Sequence, residues 1–236
     1  MRIFKEQRKL KYIGDESPVK IKTGKGVVIL GSGKTSYYFD KKPKDFELWT
    51  VNHQYRMTEE NVDRNFYFDR CMFDLKFGKL GFIKPEDMNK WGGIVTSPWK
   101  HPKITRFQPY PLKDIYNKFK VPYFTSSLAY MMAHAIYLGY KEIHIYGCEF
   151  NSGWELIHNE KGCMEFWVGY ARAKGIKVLL HEDSYLCKDA FYGIPPEAIK
   201  WFKEPYYLSE RFYPPSRDTD KLLNRLTNLI NRYWNG

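Results

Sequence analysis

Cysteine is scarce in this 236-residue sequence, and its spacing excludes two classes of small protein. The four cysteines stand far apart, and no two of them have the C-x-x-C spacing of a zinc site: Cys71, Cys148, Cys163 and Cys187. A zinc-held or disulfide-stapled scaffold is therefore excluded. A reduced compartment suits free thiols, so we predict a cytoplasmic location.

Long hydrophobic runs are absent as well. The most apolar stretch, Leu128 to Tyr140, contains His134 and is shorter than the roughly 20 residues of a membrane-spanning helix. The first residues, MRIFKEQRKLK, include no apolar run of the kind found in signal peptides. We therefore expect neither a signal peptide nor a membrane partner.

Two common nucleotide-binding motifs are incomplete. The segment GSGKT (31–35) follows an apolar run, but a P-loop requires glycine five residues before Gly33, where Val28 stands. The G-x-G-x-x-G pattern fails because Ser36 occupies its last position. A P-loop NTPase and a dinucleotide enzyme are disfavoured. What remains is a small-residue turn, which either approaches a nucleotide or simply connects two elements.

Acidic residues are outnumbered, with 27 Asp and Glu against 38 Lys and Arg, for a net charge of +11. Segments 1–26 and 74–120 carry +5 and +6, which together equal the entire excess. Aromatic residues reach 18% of the chain. We interpret the excess of positive charge as evidence for a polyanionic partner. The alternative is that the charge only keeps the protein soluble.

Strand-like and helix-like segments alternate along most of the chain. Apolar runs at 26–31, 46–52, 65–70, 141–150 and 176–181 predict strands, and 128–140 and 163–175 predict helices. The alternation predicts an α/β fold, with one Rossmann-like, doubly wound, mostly parallel sheet. The chain divides into a basic N-terminal arm (1–25), an α/β domain (26–199) and a C-terminal helical tail (200–236). Within the α/β domain, residues 74–120 form a basic, aromatic and irregular insert, with one or two short helices and at most one extra strand.

Polar residues follow the predicted strands, at the sheet edge where α/β proteins bind ligands. The candidates for ligand binding are Gly31, Ser32, Gly33, Lys34, Asn52, Arg56, Arg70, Gly147 and Glu149, together with Thr125, Ser126 and Ser127 at a helix start. Ordinary turns and caps are the alternative for each. Glu155, His158 and Glu165 are candidate general bases, although a histidine in a polar loop is often only solvated.

Taken together, these motifs resemble the bacterial sialyltransferases of the single-domain, Rossmann-like, metal-independent type. The shared pattern is a G-x-G turn, a strand ending in Asn, an F-Y-F strand, a T-S-S helix start, the strand LGYKEI and a following His. It covers residues 26–72 and 122–187. Similar elements occur in bacteriophage proteins and in archaeal pterin pyrophosphokinase-like proteins.

The resemblance implies a transferase that uses a nucleotide-sugar donor, needs no cofactor or metal, and inverts the anomeric centre. It places the nucleotide on Gly31, Ser32, Gly33, Asn52 and the segment 125–127, and it makes His158 the base. Two departures alter the donor site. Ser32 and Lys34 replace the family's Asn and Pro, and its phosphate-binding tyrosines are missing after Glu149. The donor need not be a CMP-sugar, and Lys34, Arg56 or Arg70 could neutralise a diphosphate.

The acceptor is predicted from the basic segments that lie outside the resemblance. Cations and aromatic wedges suit double-stranded DNA with an extruded base, so we predict a bacteriophage-type DNA glycosyltransferase acting in the host cytoplasm. Its DNA contacts would be Lys100, Lys103 and Arg106. An oligosaccharide acceptor is the alternative. A pyrophosphokinase, using acids such as Asp69 and Glu149, and a non-catalytic nucleotide- or nucleic-acid-binding protein also stay open. The sequence does not indicate an oligomeric state.

Overall fold

A computed structural model defines most of the chain. The described residues are 5–18, 24–76, 81–150, 159–187 and the strand at 210–212. The helical tail that we predict over 200–236 lies outside them except at 210–212, where the structure has a strand paired with the main sheet instead of a helix. Within the described residues, no helix has the length and apolar character needed to cross a membrane.

The strands are β1 (Lys11–Tyr12), β2 (Gly26–Leu30), β3 (Phe46–Val51), β4 (Arg64–Phe66), β5 (Ile94–Ser97), β6 (Trp99–Lys100), β7 (Phe107–Pro109), β8 (Glu142–Tyr146), β9 (Lys177–His181) and β10 (Glu210–Phe212). Eight of them form one sheet in the order β10-β9-β8-β2-β3-β4-β5-β7. Every pairing within this sheet is parallel. The prediction of a single, doubly wound α/β sheet is therefore confirmed.

Within the described ranges there are four helices: α1 (Pro85–Trp91), α2 (Leu112–Phe119), α3 (Ser127–Leu138) and α4 (Glu160–Ala173). Helix α3 begins at the N-cap Ser126, whose hydroxyl accepts a hydrogen bond from the Ala129 amide. It ends at Gly139, which adopts φ 84°. Capping chemistry in the sequence thus fixes both ends of the helix that packs against the centre of the sheet.

The sheet separates two hydrophobic cores. Strand β2 is buried along its whole length, with Val27 and Ile29 in one core and Val28 and Leu30 in the other. Successive strand residues point to opposite faces, so a continuous apolar run fills both cores. Helices α2, α3 and α4 cover the first core, and α1 with the short 3₁₀ helices covers the second.

The insert contains two short helices, as we expect, but it also adds two strands to the main sheet and is therefore less irregular than we predict. Strands β5 and β7 extend the parallel sheet at its edge, and α1 and α2 flank them. These strands hold only three or four residues between prolines and glycines. Runs so short show no clear alternation, which is why the sequence pattern does not predict them.

The N-terminal arm is also built into the fold. Its strand β1 pairs antiparallel with β6, and Tyr12 lies opposite Trp99. The Asp74 carboxylate accepts hydrogen bonds from the amides of Glu6 and Gln7, at 3.0 and 2.9 Å. Residues 5–18 are therefore anchored against the insert.

Candidate functional site

The site lies where the chain reverses its direction of winding. From β2 the chain runs outward through β3, β4, β5 and β7, and it then returns to β8 on the other side of β2. In open parallel sheets, ligands bind beyond the carboxyl ends of the strands at such a switch point. The loops after β2 and β8 meet there, so they form the centre of the candidate site.

The two loops contact each other through their backbones. The Gly31 amide donates to the Tyr146 carbonyl, and the Gly33 amide donates to the Gly147 carbonyl, both at 2.9 Å. Gly147 has φ 67°, and a Cβ there would lie 2.3 Å from the Gly31 carbonyl oxygen. Glycine is required at this crossing because a side chain on either loop would separate the strands.

A buried carboxylate holds the turn after β2 in place. One oxygen of Glu149 accepts a hydrogen bond from the Thr35 amide at 2.8 Å, and the Thr35 hydroxyl accepts one from the Gly147 amide at 2.7 Å. The other Glu149 oxygen is buried and has no hydrogen-bond partner among the described residues. A Cβ on Gly33 would come within 1.8 Å of it. We name Gly33, Thr35 and Glu149 the turn lock.

The turn lock leaves two of its neighbours facing solvent. Ser32 and Lys34 are both exposed, directly beyond β2. Their position at the strand end makes them available to a phosphate, as the sequence predicts for a nucleotide site. The structure assigns Glu149 to support of the turn, since its carboxylate bonds the turn's own backbone.

Asn52 ends β3 in a left-handed conformation, with φ 53°. Its amide donates to the Phe66 carbonyl, and its own carbonyl accepts from the Asn65 side chain at 3.1 Å. The side-chain oxygen Oδ1 is buried and has no partner among the described residues. A buried acceptor without a partner costs free energy, so a ligand donor at this position would be stabilising.

Helix α3 points its amino end at the same edge of the sheet. The Thr125 hydroxyl donates to the Asn159 carbonyl at 3.2 Å, and Ser126 caps the helix. Ser127 is the first helical residue. The unpaired amides and partial positive charge of the first turn favour an anion.

Aromatic rings line the beginning of α3. Tyr130 stacks on Phe68 and on Phe124, each with ring centroids 4.4 Å apart, and Phe124 stacks on Trp167 at 5.1 Å. Phe68 lies two residues beyond the end of β4. These partly buried rings give the helix start a rigid apolar wall beside the strand ends.

The candidate cations differ in their surroundings. Arg70 is exposed, and its guanidinium carbon lies 4.8 Å from the ring centroid of Trp99. Arg56 lies in the 3₁₀ helix after Asn52, beside His53. Burial, and secondarily the Arg56 charge, lower the pKa of His53, so this imidazole is neutral at pH 7.

Two of the three residues predicted to contact DNA have partners within the insert. Lys103 pairs with Glu86 at 2.7 Å, and Arg106 donates to the Gly92 carbonyl at the end of α1. Lys100 instead lies in β6, opposite Lys11. Two of the three cations thus bind α1 and its end.

Three aromatic residues of the insert are likewise committed to packing, whereas Phe82 and Tyr116 are exposed. Trp91 packs on Tyr55 with ring centroids 5.1 Å apart, Phe107 joins the second core, and Tyr110 has no exposed surface. They are therefore unavailable as wedges for an extruded base. The DNA acceptor predicted from composition gains no support from these positions, because composition does not reveal which charges and rings the fold uses internally.

Two of the predicted bases, Glu155 and His158, lie outside the described residues. The third, Glu165, lies in α4, where one carboxylate oxygen accepts a hydrogen bond from the Cys187 amide at 2.7 Å. Lys161 is 3.7 Å from the same oxygen. These contacts tie α4 to the segment after β9, and they give Glu165 a structural task.

No metal-binding group of three or more His, Cys, Asp or Glu side chains occurs in the described part of the chain. Asp69 is exposed, whereas Glu149 is buried in the turn lock. The acidic cluster that a pyrophosphokinase would need is thus not found among these residues.

Solved structures that match this one include several sialyltransferases of Campylobacter jejuni. CstII with CMP-3FNeuAc matches with a TM-score of 0.45 and 19% identity, over 87% of this chain and 99% of that one. CST-II with a trisaccharide acceptor and CMP matches at 0.40 and 18%, over 85% and 99%. The monofunctional α-2,3-sialyltransferase Cst-I matches at 0.42 and 14%, over 87% and 94%.

The structural matches are thus enzymes of the type that the sequence motifs resemble. Neither a protein-family model nor a curated protein matches the sequence. At these identities the likeness concerns the arrangement of the chain, so the function is argued below from the residues of the site.

Sequence reasoning selects residues that the structure places beyond the strand ends, but it does not predict the residues that hold the turn in place. Thr35 follows the G-x-G turn and is fully buried, yet a threonine after a glycine turn carries no signal of burial. The left-handed backbone conformation of Asn52 also cannot be predicted from the residue type alone, although Asn adopts that conformation more readily than most residues. Tyr12 is missed because its neighbours at the edge are distant in sequence.

Proposed function

We propose that this protein is a glycosyltransferase that moves a sugar from a nucleotide-sugar to a hydroxyl group of a saccharide. The observation that carries the proposal is the unpartnered, buried Oδ1 of Asn52, beside the glycine crossing of β2 and β8. A nucleoside supplies the amino or hydroxyl donors that this acceptor lacks. The sugar-transfer chemistry follows from the family that the sequence resembles.

The nucleotide would lie across the ends of β2 and β3. Its base or ribose would donate to Asn52, and its phosphate would approach the turn at Ser32 and Lys34 and the amides that begin α3. Lys34 offers a positive charge that is exposed at the strand end. These groups stabilise the negative charge that develops as the nucleotide departs.

The reaction would be a single displacement. His158 accepts the proton of the acceptor hydroxyl, the hydroxyl oxygen forms a bond to the anomeric carbon, and the bond from that carbon to the phosphate oxygen breaks. The electron pair leaves with the nucleotide phosphate. One displacement inverts the anomeric centre. His158 immediately precedes Asn159, whose carbonyl contacts Thr125 at the helix start.

A saccharide is favoured over DNA as the acceptor. Lys103 and Arg106 are engaged with α1 and its end, and Trp91, Phe107 and Tyr110 of the insert are packed against the cores. A duplex requires a line of cations that contacts successive phosphates. A saccharide needs only hydrogen bonds and a ring on which to pack, and the strand ends offer both.

The test is nucleotide binding by the variant Asn52→Gly. Glycine keeps the left-handed backbone while removing the side-chain oxygen, whereas alanine would add strain at φ 53°. We expect calorimetry with cytidine, uridine and guanosine nucleotides to show a loss of about 1–3 kcal/mol for the preferred nucleotide. The matched control is Asn61→Gly in an exposed loop position, which should bind normally. Equal affinity of Asn52→Gly and the wild type would refute this site.

A further inference from the structure

The N-terminal arm and the insert together build an exposed aromatic and cationic surface. Tyr12 of β1 lies against Trp99 of β6, with ring centroids 5.1 Å apart. Arg70 lies over the same tryptophan, 4.8 Å from its ring centroid. Tyr12 keeps 43% of its surface exposed. We name Tyr12, Arg70 and Trp99 the arm platform.

The arm platform lies beside the candidate donor site. Arg70 follows β4 and Trp99 follows β5, the first and second neighbours of the strand that ends at Asn52. Adjacent strands are about 4.8 Å apart, so the end of β5 lies roughly 10 Å from that of β3.

Tyr12 also lies near the beginning of α3. Burial raises the pKa of Tyr130, and the nearby Cys163 and Tyr12 raise it further. Phe68, two residues before Arg70, stacks on Tyr130 with ring centroids 4.4 Å apart, so the platform and the first turn of α3 share this edge of the sheet. A molecule on the platform can therefore reach a donor bound at the strand ends.

The platform carries positive charge that the fold does not neutralise. Lys11 and Lys100 face each other across β1 and β6, and both are exposed. No ion pair joins Lys11, Arg70 or Lys100 to an acidic side chain within the described residues. Because side chains alternate along a strand, these two lysines lie on the face of the β1–β6 pair opposite Tyr12 and Trp99, where they raise the local positive potential.

We propose that the arm platform is the acceptor site and that the acceptor is an anionic saccharide. The exposed face of Tyr12 packs on a sugar ring, and Trp99 supports the tyrosine from below. The planar guanidinium of Arg70 binds the carboxylate or phosphate of the acceptor, and Lys11 and Lys100 on the opposite face of the β1–β6 pair add positive charge nearby. The identification of the ligand as an acceptor rests on the proposed glycosyltransferase activity.

This assignment accounts for part of the basic charge without a nucleic acid. The cations of the platform are confined to one corner of the sheet edge, as one or two anionic groups require. Trp99 is held between its neighbours and partly buried, which suits a supporting ring rather than a wedge.

Binding of a charged saccharide and its neutral counterpart tests the proposal. The probes are oligogalacturonate, its methyl ester, which has the same sugars without charge, and a short DNA duplex. We expect calorimetry to show oligogalacturonate binding at least about tenfold more tightly than the ester. Arg70→Gln should abolish that difference, and Tyr12→Ala should weaken both saccharides. Lys103→Gln, at an exposed lysine of the same insert, should change neither.

Three results would overturn the proposal. The first is equal affinity of the wild type for oligogalacturonate and its methyl ester. The second is an Arg70→Gln variant that still binds oligogalacturonate more tightly than the ester by the wild-type factor. The third is a DNA duplex that binds more tightly than either saccharide and depends on Arg70, because the surface would then serve a nucleic acid. Titration of the wild type with nucleotides distinguishes failure of the acceptor-site proposal from failure of the proposed glycosyltransferase function. A protein that binds saccharide through the platform but binds no nucleotide keeps the platform and loses the transferase.

Discussion

At the scale of single residues, the site depends on glycines that bring two loops into backbone contact. Gly33 lies against Glu149, and the carboxylate cannot easily turn away because it is buried and bonded to Thr35. The carbonyl of Gly147 is also only 2.9 Å from a Cβ at this position. The space beside Gly33 is therefore closed from two directions.

We predict that Gly33→Ala lowers the free energy of unfolding by about 1–3 kcal/mol, the usual range for overpacking. Chemical denaturation would measure it. The double variant Gly33→Ala/Glu149→Ala should be less destabilised than the sum of its single variants, because removing the carboxylate frees the space.

Gly169→Ala is the matched control. This glycine is exposed in α4, and a Cβ there meets no atom within 4 Å. We expect it to stabilise the protein by roughly 0.5–1 kcal/mol, since alanine favours a helix interior over glycine. Strict additivity of the Gly33 and Glu149 variants would contradict the turn lock.

At the scale of elements, the arm is held by the side chain of Glu6 as well as by its backbone. One carboxylate oxygen pairs with Lys9 at 2.6 Å, and the other is 2.9 Å from His101 Nε2. The hydrogen bond from Lys9, followed by that from His101, lowers the pKa of Glu6 below its ordinary value of 4.5. A carboxyl whose pKa is lower in the folded state stabilises the fold above its unfolded pKa.

We predict that this contribution is lost as the pH falls below about 4.5 and through the folded pKa. The free energy of unfolding of the wild type, minus that of Glu6→Gln, should be greatest at neutral pH and shrink in acid. Taking the difference cancels other titrating groups that the substitution leaves unchanged. A difference that stays constant or grows in acid would show that Glu6 does not help to anchor the arm.

At the scale of the whole molecule, the sequence predicts the centre of the sheet well and its edges poorly. The apolar run of β2 and the caps of α3 are strong local signals, and the structure has both elements where we expect them. Strands β5 and β7 are too short to show a period, and β1 pairs with a partner almost ninety positions away. Such pairings follow from tertiary packing, which no local pattern reveals.

In the candidate site, too, the parts that depend on local sequence patterns are predictable and the parts that depend on tertiary packing are not. Its position at the strand ends follows from the alternation of strands and helices, so Ser32, Asn52 and Ser126 can be selected from the sequence. The arm platform cannot, because Tyr12, Arg70 and Trp99 come from three separate segments. Net charge indicates an anionic partner, but it does not distinguish cations that are bound internally from those that face solvent.

The most direct test of the central claim is to incubate the protein with nucleotide-sugars in the presence of a metal chelator and to measure the released nucleotide by chromatography. With an acidic oligosaccharide acceptor, the wild type should release nucleotide and form a longer saccharide that mass spectrometry detects. His158→Ala should slow release by about 10²–10⁴-fold, the usual contribution of a general base. If no nucleotide-sugar is consumed with any saccharide acceptor, the protein is not the glycosyltransferase that we propose.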